Sequence, residues 1–364
     1  MLRAYDRPGG IGIYCQNIVK HLLTMDRKNE YILIYNNKTH LGQYSDLSNV
    51  TERYIPATNP IVWDQWQVPK VARQESADII LNTKFSIPFR GTAKKLMVLH
   101  GAAWAYHPEF FSKFDVLYTK IMMPIYCRKA DFLISNSELT TRDFIRLAGI
   151  VPEKIQTVHL AHGDTFVPVE DKFVLDSVRD KYKLRGRFIL TVTSYEPKRK
   201  NFETVLRGFA EIHIKHPEVH LVVAGKDCEN YLNDFDFDRL GVREFCHFLG
   251  WVDQSDLPAI YSLASVYFFP SVYEEFGIPV VEAMACGCPV VASDTGAIPE
   301  LTNGAALLAP PMDYSAMAGH LDSILSDLDF AADVRRKGIA RAKDFSWEKA
   351  ARETLDILEA VGSG

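Results

Sequence analysis

Two glutamates, Glu274 and Glu282, stand on either side of FGIPVV in the run SVYEEFGIPVVEAMACGCPVVASDTG, residues 271–296. VYFFPS just before it reads as a buried strand ending near Ser271. Pro279 suits the first turn of a following helix, and Gly277 leaves the turn without a side chain that would block a ligand. The amides of Phe276, Gly277 and Ile278 can then point at a phosphate, helped by the helix dipole. Glu274 falls before the turn, and Glu282 is expected within the first helical turn. A carboxylate beside a diphosphate repels it unless the carboxylate binds something else. Sugar and ribose hydroxyls are that partner, because an ionised carboxylate only accepts hydrogen bonds. The stretch therefore suits a nucleotide-linked sugar, with amides on the phosphates and one glutamate on each carbohydrate ring. A helix start that carries acids for its dipole alone would read the same way.

Other segments bear on the choice. SYEPKRKN, residues 194–201, follows an apolar strand pattern and precedes a helical one. Three successive cations at a strand's carboxyl end repel one another unless an anion sits there, which makes Arg199 and Lys200 candidates for a diphosphate. A solvated basic turn is the alternative. GGIG, with Gly9, Gly10 and Gly12, precedes a helix and allows close backbone approach. It lacks the full dinucleotide fingerprint and a preceding strand, which argues against a nicotinamide cofactor. His100 ends the strand KKLMVLH and can bind a sugar hydroxyl or assist proton transfer, or serve only the fold. DFDFD at 234–238 has the alternation of a metal loop, but no further His or carboxylate cluster accompanies it, so a surface loop and no metal are expected. Residues 110–130 mix aromatics, Met and Lys. They are read as a core helix with exposed lysines, with a helix lying on a membrane surface as the alternative.

These residues need a scaffold. With 364 residues, 47% of them apolar and 24% charged, the chain has the make-up of a two-domain globular enzyme. No apolar run is long enough to span a bilayer, and no signal-peptide pattern is visible. Six scattered cysteines, with no CxxC pair, fit a reduced cytoplasmic setting. Residues 1–165 carry a net charge of +5 and the remainder −10. The basic half suits an anionic acceptor or a membrane surface, and ordinary surface variation suits it equally.

Strand and helix patterns alternate throughout. Strands are expected at 31–37, 77–83, 94–100, 130–137 and 154–162, then at 187–194, 219–226, 246–252, 266–271 and 288–293. Helices are expected at 12–23, 137–149, 201–216 and 256–264. The fold class is α/β, with two Rossmann-like parallel-sheet domains facing a cleft. The division is 1–165, 166–345 and a C-terminal helix over 346–364. The glycine loop at 9–12 has no strand before it. The eight preceding residues, with Arg3, Asp6, Arg7 and Pro8, make a poor strand, so a first strand is expected to be missing.

PSVYEEFGIPVVEAMACGCPVVASDTGAIPEL, with its E-x7-E pair, resembles the signature of retaining glycosyltransferases of family 4, which have the GT-B fold. The resemblance extends over nearly the whole chain, to EPKRKN, GGIGIY, HGAAWAYHPE, ADFLISNSELTTRDF and FSWEKAARETL. It implies that Glu274 contacts donor-sugar hydroxyls and that Glu282 holds the ribose. Phe276, Gly277 and Ile278 would meet phosphate and sugar, and Arg199 and Lys200 the leaving diphosphate. Gly9, Gly10 and Gly12 would close over the phosphates or guide the acceptor, and His100 would touch the donor sugar. Gly225, Lys226 and the segment with Trp251 and Val252 would lie near the base, and the last helix would cross back to the first domain. Many members carry arginine where Ser194 stands, which leaves more of the charge to Lys200 and Arg199. The resemblance further implies attack from the leaving-group face with retained configuration, and no metal or other cofactor. The donor is expected to be GDP-mannose, with a UDP-sugar as alternative, and the acceptor a polysaccharide or lipid-linked glycan. A nucleotide-sugar epimerase, a nicotinamide-dependent enzyme and a non-catalytic sugar-nucleotide binder are the readings from other classes. The expected place is cytoplasmic, with peripheral membrane contact through the N-terminal domain.

Overall fold

The computed structural model describes residues 2, 5, 9–56 and 59–363. Arg3, Asp6, Arg7 and Pro8 lie outside the described residues. The chain divides into two compact units, Met1–Leu160 with Trp347–Gly364, and Ala161–Ser346.

The first unit holds strands β1 (Tyr31–Tyr35), β2 (Val50–Tyr54), β3 (Ile79–Asn82), β4 (Lys94–Leu99), β5 (Phe132–Ser135) and β6 (Ile155–Thr157). β1 pairs β2 in one parallel ladder, and β3-β4-β5-β6 form a second parallel sheet. Helices over Gly10–Met25 and Trp347–Ser363 pack together, with the rings of Tyr14 and Trp347 6.2 Å apart. Trp347, Ala350, Ala351, Thr354 and Ile357 form the buried stripe of the last helix, at the three-to-four spacing that places side chains on one face. Lys94 Nζ donates to the Val361 carbonyl at 2.8 Å, tying that helix to the sheet. Side-chain caps set other boundaries: Ser137 Oγ accepts from the Thr140 amide at 3.1 Å at the start of Glu138–Ala148. Gly149, left-handed at φ 63°, ends that helix.

The second unit holds β7 (Arg187–Val192), β8 (Val219–Ala224), β9 (Cys246–Gly250), β10 (Val266–Phe269), β11 (Val290–Ser293) and β12 (Leu307–Ala309) in the order β12-β11-β10-β7-β8-β9. Every pairing is parallel. Sheets with helices on both faces need apolar residues at successive positions, and β10 (VYFF) is buried at all four. One helix, Phe202–Lys215, presents Phe202, Val205, Leu206, Phe209 and Ile212 to the core, which they share with Met317, Leu321 and Ile324. Strand order reverses between β7 and β10, where open α/β sheets bind ligands beyond the carboxyl ends of the strands.

Two strands were not expected, β2 and β12. β2 (VTERY) carries charge and is half exposed, and β12 is three residues long. The helix Lys113–Lys129 is only half core. Val116, Met123, Tyr126 and Cys127 are buried, while Phe114 (74% exposed), Leu117 (60%) and Ile121 (55%) face solvent beside exposed Lys113 and Lys120. The reading as a core helix with exposed lysines describes one face; the other face is apolar and uncovered. No described helix is long and apolar enough to cross a membrane.

Candidate active site

β7 ends at Val192, and the chain then runs through Ser194 into a single helical turn, Pro197–Lys200. β10 ends at Phe269 and leads to Ser271 and Glu274. The Val272 amide donates to the Arg199 carbonyl at 2.9 Å, so the two segments run side by side at the point where strand order reverses. Asn201 closes the turn in a left-handed conformation, φ 52°, and its Nδ2 donates to the Pro270 carbonyl at 2.9 Å. Asn tolerates that conformation better than most residues, and here the side chain also clamps the second strand end.

The centre of this rim is Glu274, which is buried. Lys200 Nζ donates to its Oε1 at 2.7 Å, Ser271 Oγ donates to the same oxygen at 2.8 Å, and Arg199 Nη1 lies 3.5 Å from Oε2. Burial acts to raise the pKa of Glu274, but the charges of Lys200 and Arg199 outweigh it and hold the carboxyl below its usual range. Arg199 is in turn forked by Glu196, with Nε to Oε2 at 2.7 Å and Nη2 to Oε1 at 2.8 Å. Ser194 Oγ donates to Glu196 at 3.0 Å. The expectation that the cation run needs a bound anion is thereby corrected: Glu196 and Glu274 already balance Arg199 and Lys200.

Gly277 caps the helix Ile278–Ala285 at φ 116°, a conformation costly for any residue with a Cβ. Ile278 opens the helix and Pro279 falls in its first turn. Phe276 turns inward and meets Phe345 edge-on at 6.0 Å. Because the helix begins at Ile278, Glu282 lies in the second turn, not the first. It is buried, with Tyr261 Oη 3.4 Å from Oε2, and burial pushes its pKa up to about 7 against the opposing Tyr261 bond. Glu275 is partly buried, and burial followed by the charge of Glu274 lifts it to about 7 as well.

The rim continues along β8 and β9. The Gly225 amide donates to the Gly250 carbonyl at 2.8 Å and the Tyr195 amide to the Lys226 carbonyl at 3.0 Å. Gly225 has φ 137°, and a Cβ there would stand 2.2 Å from the Thr193 carbonyl oxygen, so the strand ends meet only because this residue is glycine. Lys226 and Trp251 are exposed, and Val252 is buried.

The structure thus brings Ser194, Arg199, Lys200, Glu274, Phe276, Gly277, Ile278, Glu282, Gly225, Lys226, Trp251 and Val252 into one unit around adjoining strand ends. His100, Gly9, Gly10 and Gly12 belong to the other unit. His100 follows β4, and its Nε2 lies 2.8 Å from the Thr83 carbonyl, so this nitrogen donates. Burial pulls its pKa down to about 4 despite that bond, with Lys84 adding to the fall, so the ring is neutral at pH 7. Gly9, at φ 93°, caps the helix Gly10–Met25, Gly10 is exposed and Gly12 is buried.

Sequence reasoning missed Glu196, Ser271, Glu275, Tyr261 and Asn201 as site residues. Glu196 stood inside the basic run, and opposite charge three residues before an arginine was the signal available. Gly296 was also missed: a Cβ there would stand 2.2 Å from the Glu274 carbonyl oxygen, so the loop holding Glu274 depends on it. DFDFD serves structure, since Asp234 ends a short helix and accepts from Tyr195 Oη. Among the described residues no cluster of His, Cys, Asp or Glu is placed to hold a metal ion.

Residues 177–341 match the family Glycosyl transferases group 1. The match covers a little under half of the chain and shows what the chain is similar to, a group 1 glycosyltransferase. The chain is 27% identical over 377 residues to O-antigen chain mannosyltransferase B of Escherichia coli, covering 97% of this chain and 96% of that protein. It is 27% identical over 234 residues to serotype-specific mannosyltransferase WbdA of the same organism, covering 63% of this chain and 28% of that protein. The crystal structure of HepE from Anabaena in complex with UDP and glucose superposes with a TM-score of 0.76 at 20% identity, covering 97% of this chain and 96% of that one. At that identity the likeness is one of fold, and the fold is GT-B.

Two predictions follow from the buried carboxylates. Lys200→Met strands Glu274 with a more distant cation and is expected to destabilise by about 3–5 kcal/mol, the usual cost of breaking one side of a buried pair. Lys200→Met with Glu274→Gln should recover most of that loss in urea unfolding, and a double variant as unstable as the single would refute the pairing. Glu282 gives a pH signature. A free glutamate ionises near 4.3, whereas folded Glu282 titrates at about 7. The native state keeps the proton through that window while the unfolded chain loses it, so stability falls as pH rises to about 7 and then levels. Glu282→Gln should therefore gain roughly 2 kcal/mol on the native chain between pH 5.5 and 8. An equal difference at both pH values would show that the carboxyl is not held protonated.

Proposed function

We propose that this glycosyltransferase moves mannose from GDP-mannose to a polysaccharide or lipid-linked glycan with retention of anomeric configuration. The observation that carries the reading is Glu274, kept ionised between Lys200 and Arg199 beside the Gly277 helix start, at the switch point of the six-stranded sheet. Departure of a diphosphate from a sugar builds negative charge on the phosphate and positive charge on the ring. Amides at 276–278 and the two cations are suited to the first, and a fixed carboxylate to the ring and its hydroxyls. Glu282 is the ribose ligand in this reading, and the rim with Gly225, Lys226, Trp251 and Val252 faces the base. Neutral His100 meets the sugar as a hydrogen-bonding group and not as a cation. Gly9, Gly10 and Gly12 are assigned in this reading to the phosphates or the acceptor. The leaving phosphate takes the acceptor's proton on the face it departs from, which preserves configuration. Neither a metal nor another cofactor has a part in these steps. Mannose as the transferred sugar is supported by the relatives named mannosyltransferases.

The enzyme works in the cytoplasm, at a membrane that it touches through the first unit. Phe114, Leu117 and Ile121 recur at helical spacing on an uncovered face flanked by Lys113 and Lys120, the pattern of a helix that lies in an anionic interface.

GDP or GDP-mannose at about a hundred times its dissociation constant should stabilise the chain by roughly 2.7 kcal/mol, read as a rise in melting temperature that Glu282→Ala abolishes. Turnover should release GDP, and proton NMR of the product should show the donor's anomeric configuration. A shift with UDP-sugars alone would replace the donor, and a shift with NADH alone would overturn the reading. Leu117→Asp with Ile121→Asp should cut sedimentation with phosphatidylglycerol vesicles at least tenfold while leaving nucleotide binding unchanged. Undiminished sedimentation would remove the membrane contact.

A further inference from the structure

Past the carboxyl end of β8 the chain makes a short 3-10 turn, Cys228–Asn230, that is pinned from inside. Cys228 is fully buried; its amide donates to the Gly225 carbonyl at 3.4 Å and its Sγ to the Val223 carbonyl at 3.6 Å. Tyr231 follows and is also fully buried. It stacks on Phe202 with ring centroids 4.0 Å apart, and its Oη donates to the Ser194 carbonyl at 2.9 Å. The turn is thus anchored at both ends, and Glu229 between them is left exposed. Its carboxylate reaches across to β9. Gly250, the last residue of that strand, has φ 66°, and a Cβ there would stand 2.4 Å from Glu229 Oε1 and 3.8 Å from Oε2. Both oxygens therefore lie over the backbone that leads into Trp251.

Other acids of this region are taken. Asp253 and Asp256 share Lys181 Nζ at 2.7 and 2.6 Å, Asp256 also accepts from Tyr182 Oη at 2.9 Å, and Asp234 accepts from Tyr195 Oη. The Glu229 carboxylate has no hydrogen bond or ion pair among the described residues. Trp251, 67% exposed, offers a face on which any base can stack, so stacking there does not choose the base. Choice comes from the base edge. Guanine presents a carbonyl oxygen and, beside it, two N–H donors, N1 and the N2 amine, spaced to meet the two oxygens of one carboxylate. Uracil presents one N–H between two carbonyl oxygens, and adenine an amine beside a bare ring nitrogen. Either edge sets an acceptor against a carboxylate, which only accepts. Lys226, exposed at the end of β8, only donates and suits the guanine carbonyl.

We propose that Glu229 is the residue that selects the nucleobase, accepting from N1–H and from the N2 amine of guanine while Lys226 donates to O6. This rests on the GDP-mannose reading above and adds to it the side chain that makes a nucleoside-diphosphate site a guanine site. Asp227, exposed in the left-handed bend before the turn at φ 58°, is the other acid close by in sequence. Glu229 is preferred because its oxygens are placed against β9, beside Trp251, on a turn that the core holds.

The test is calorimetric binding of GDP, IDP, XDP and UDP to the full chain. IDP lacks the N2 amine, and XDP carries a carbonyl oxygen in its place. The native chain should prefer GDP to each of the others by roughly tenfold or more, the discrimination of one bidentate pair to a base. Glu229→Ala should bind GDP and IDP alike. Glu229→Gln should lose GDP and gain XDP by roughly the same factor, because its amide donates to the added carbonyl. Asp227→Ala should keep the native order, and all three variants should melt with the native chain. Equal binding of GDP and IDP by the native chain, a GDP preference that survives Glu229→Ala, or its loss in Asp227→Ala instead overturns the proposal. Binding of UDP without GDP removes the donor reading and this one with it. GDP binding that no Glu229 variant alters removes this one alone.

Discussion

The second unit is organised around a buried carboxylate that has to remain charged. Glu274 is out of water, and burying an unpaired carboxylate costs far more than a domain's stability can absorb. Lys200, Arg199 and Ser271 remove that cost by direct contact. Their positions follow from backbone features that seem unrelated until the carboxylate is considered. Asn201 turns left-handed to end the cation-bearing helix turn and clamps the Pro270 carbonyl. Gly296 lets a neighbouring loop lie against the Glu274 backbone, where the Ala297 amide donates to the Glu274 carbonyl at 2.9 Å. Glu196 then holds Arg199 by a fork, so the cation that faces Glu274 is itself fixed.

This arrangement is possible because of where the sheet reverses its order. β7 and β10 are neighbours although nearly 80 residues apart in sequence, and their carboxyl ends open toward the same rim. Parallel pairing delivers both ends to one side of the sheet, which an antiparallel pair would not do. Fully apolar strands make the pairing durable: β10 has no exposed face, and its register with β7 and β11 is fixed by packing on both sides.

Most of the second unit was legible in its sequence because long apolar runs and helical periodicity both mark buried parallel sheets. VYFFPS, RFILTVTS and VHLVVAGK read as strands from apolar content alone, and NFETVLRGFAEIHIKH read as a helix from its spacing. β2 was illegible because VTERY has too little apolar content to stand out, and β12 because three residues carry no period. The glutamates and the cation run were visible as ligand candidates, but their mutual pairing was not. Arg199 and Glu274 are far apart in sequence, and nothing local shows that one neutralises the other. Likewise Glu282 was placed one turn early, since only the left-handed Gly277 decides where the helix begins. Exposure of Phe114, Leu117 and Ile121 was hidden for the opposite reason: the period of a helix is the same whether or not its apolar face is covered.

Three glutamates within nine residues end with different charges, and environment alone separates them. Glu274 has two cations in reach and stays ionised. Glu275 has Glu274 beside it and is pushed up to about 7. Glu282 has only a tyrosine hydroxyl and is pushed to about 7 by burial. At neutral pH these three therefore give one fixed negative charge and two carboxyls close to their midpoints. A fixed carboxylate can only accept hydrogen bonds, so it selects a ligand face rich in hydroxyl donors. A carboxyl near its midpoint can accept or donate and shifts at little cost when a hydroxyl approaches. Of these three, the residue whose charge must not change is thus the one with both cations, and the groups that can adapt are those the protein leaves without them.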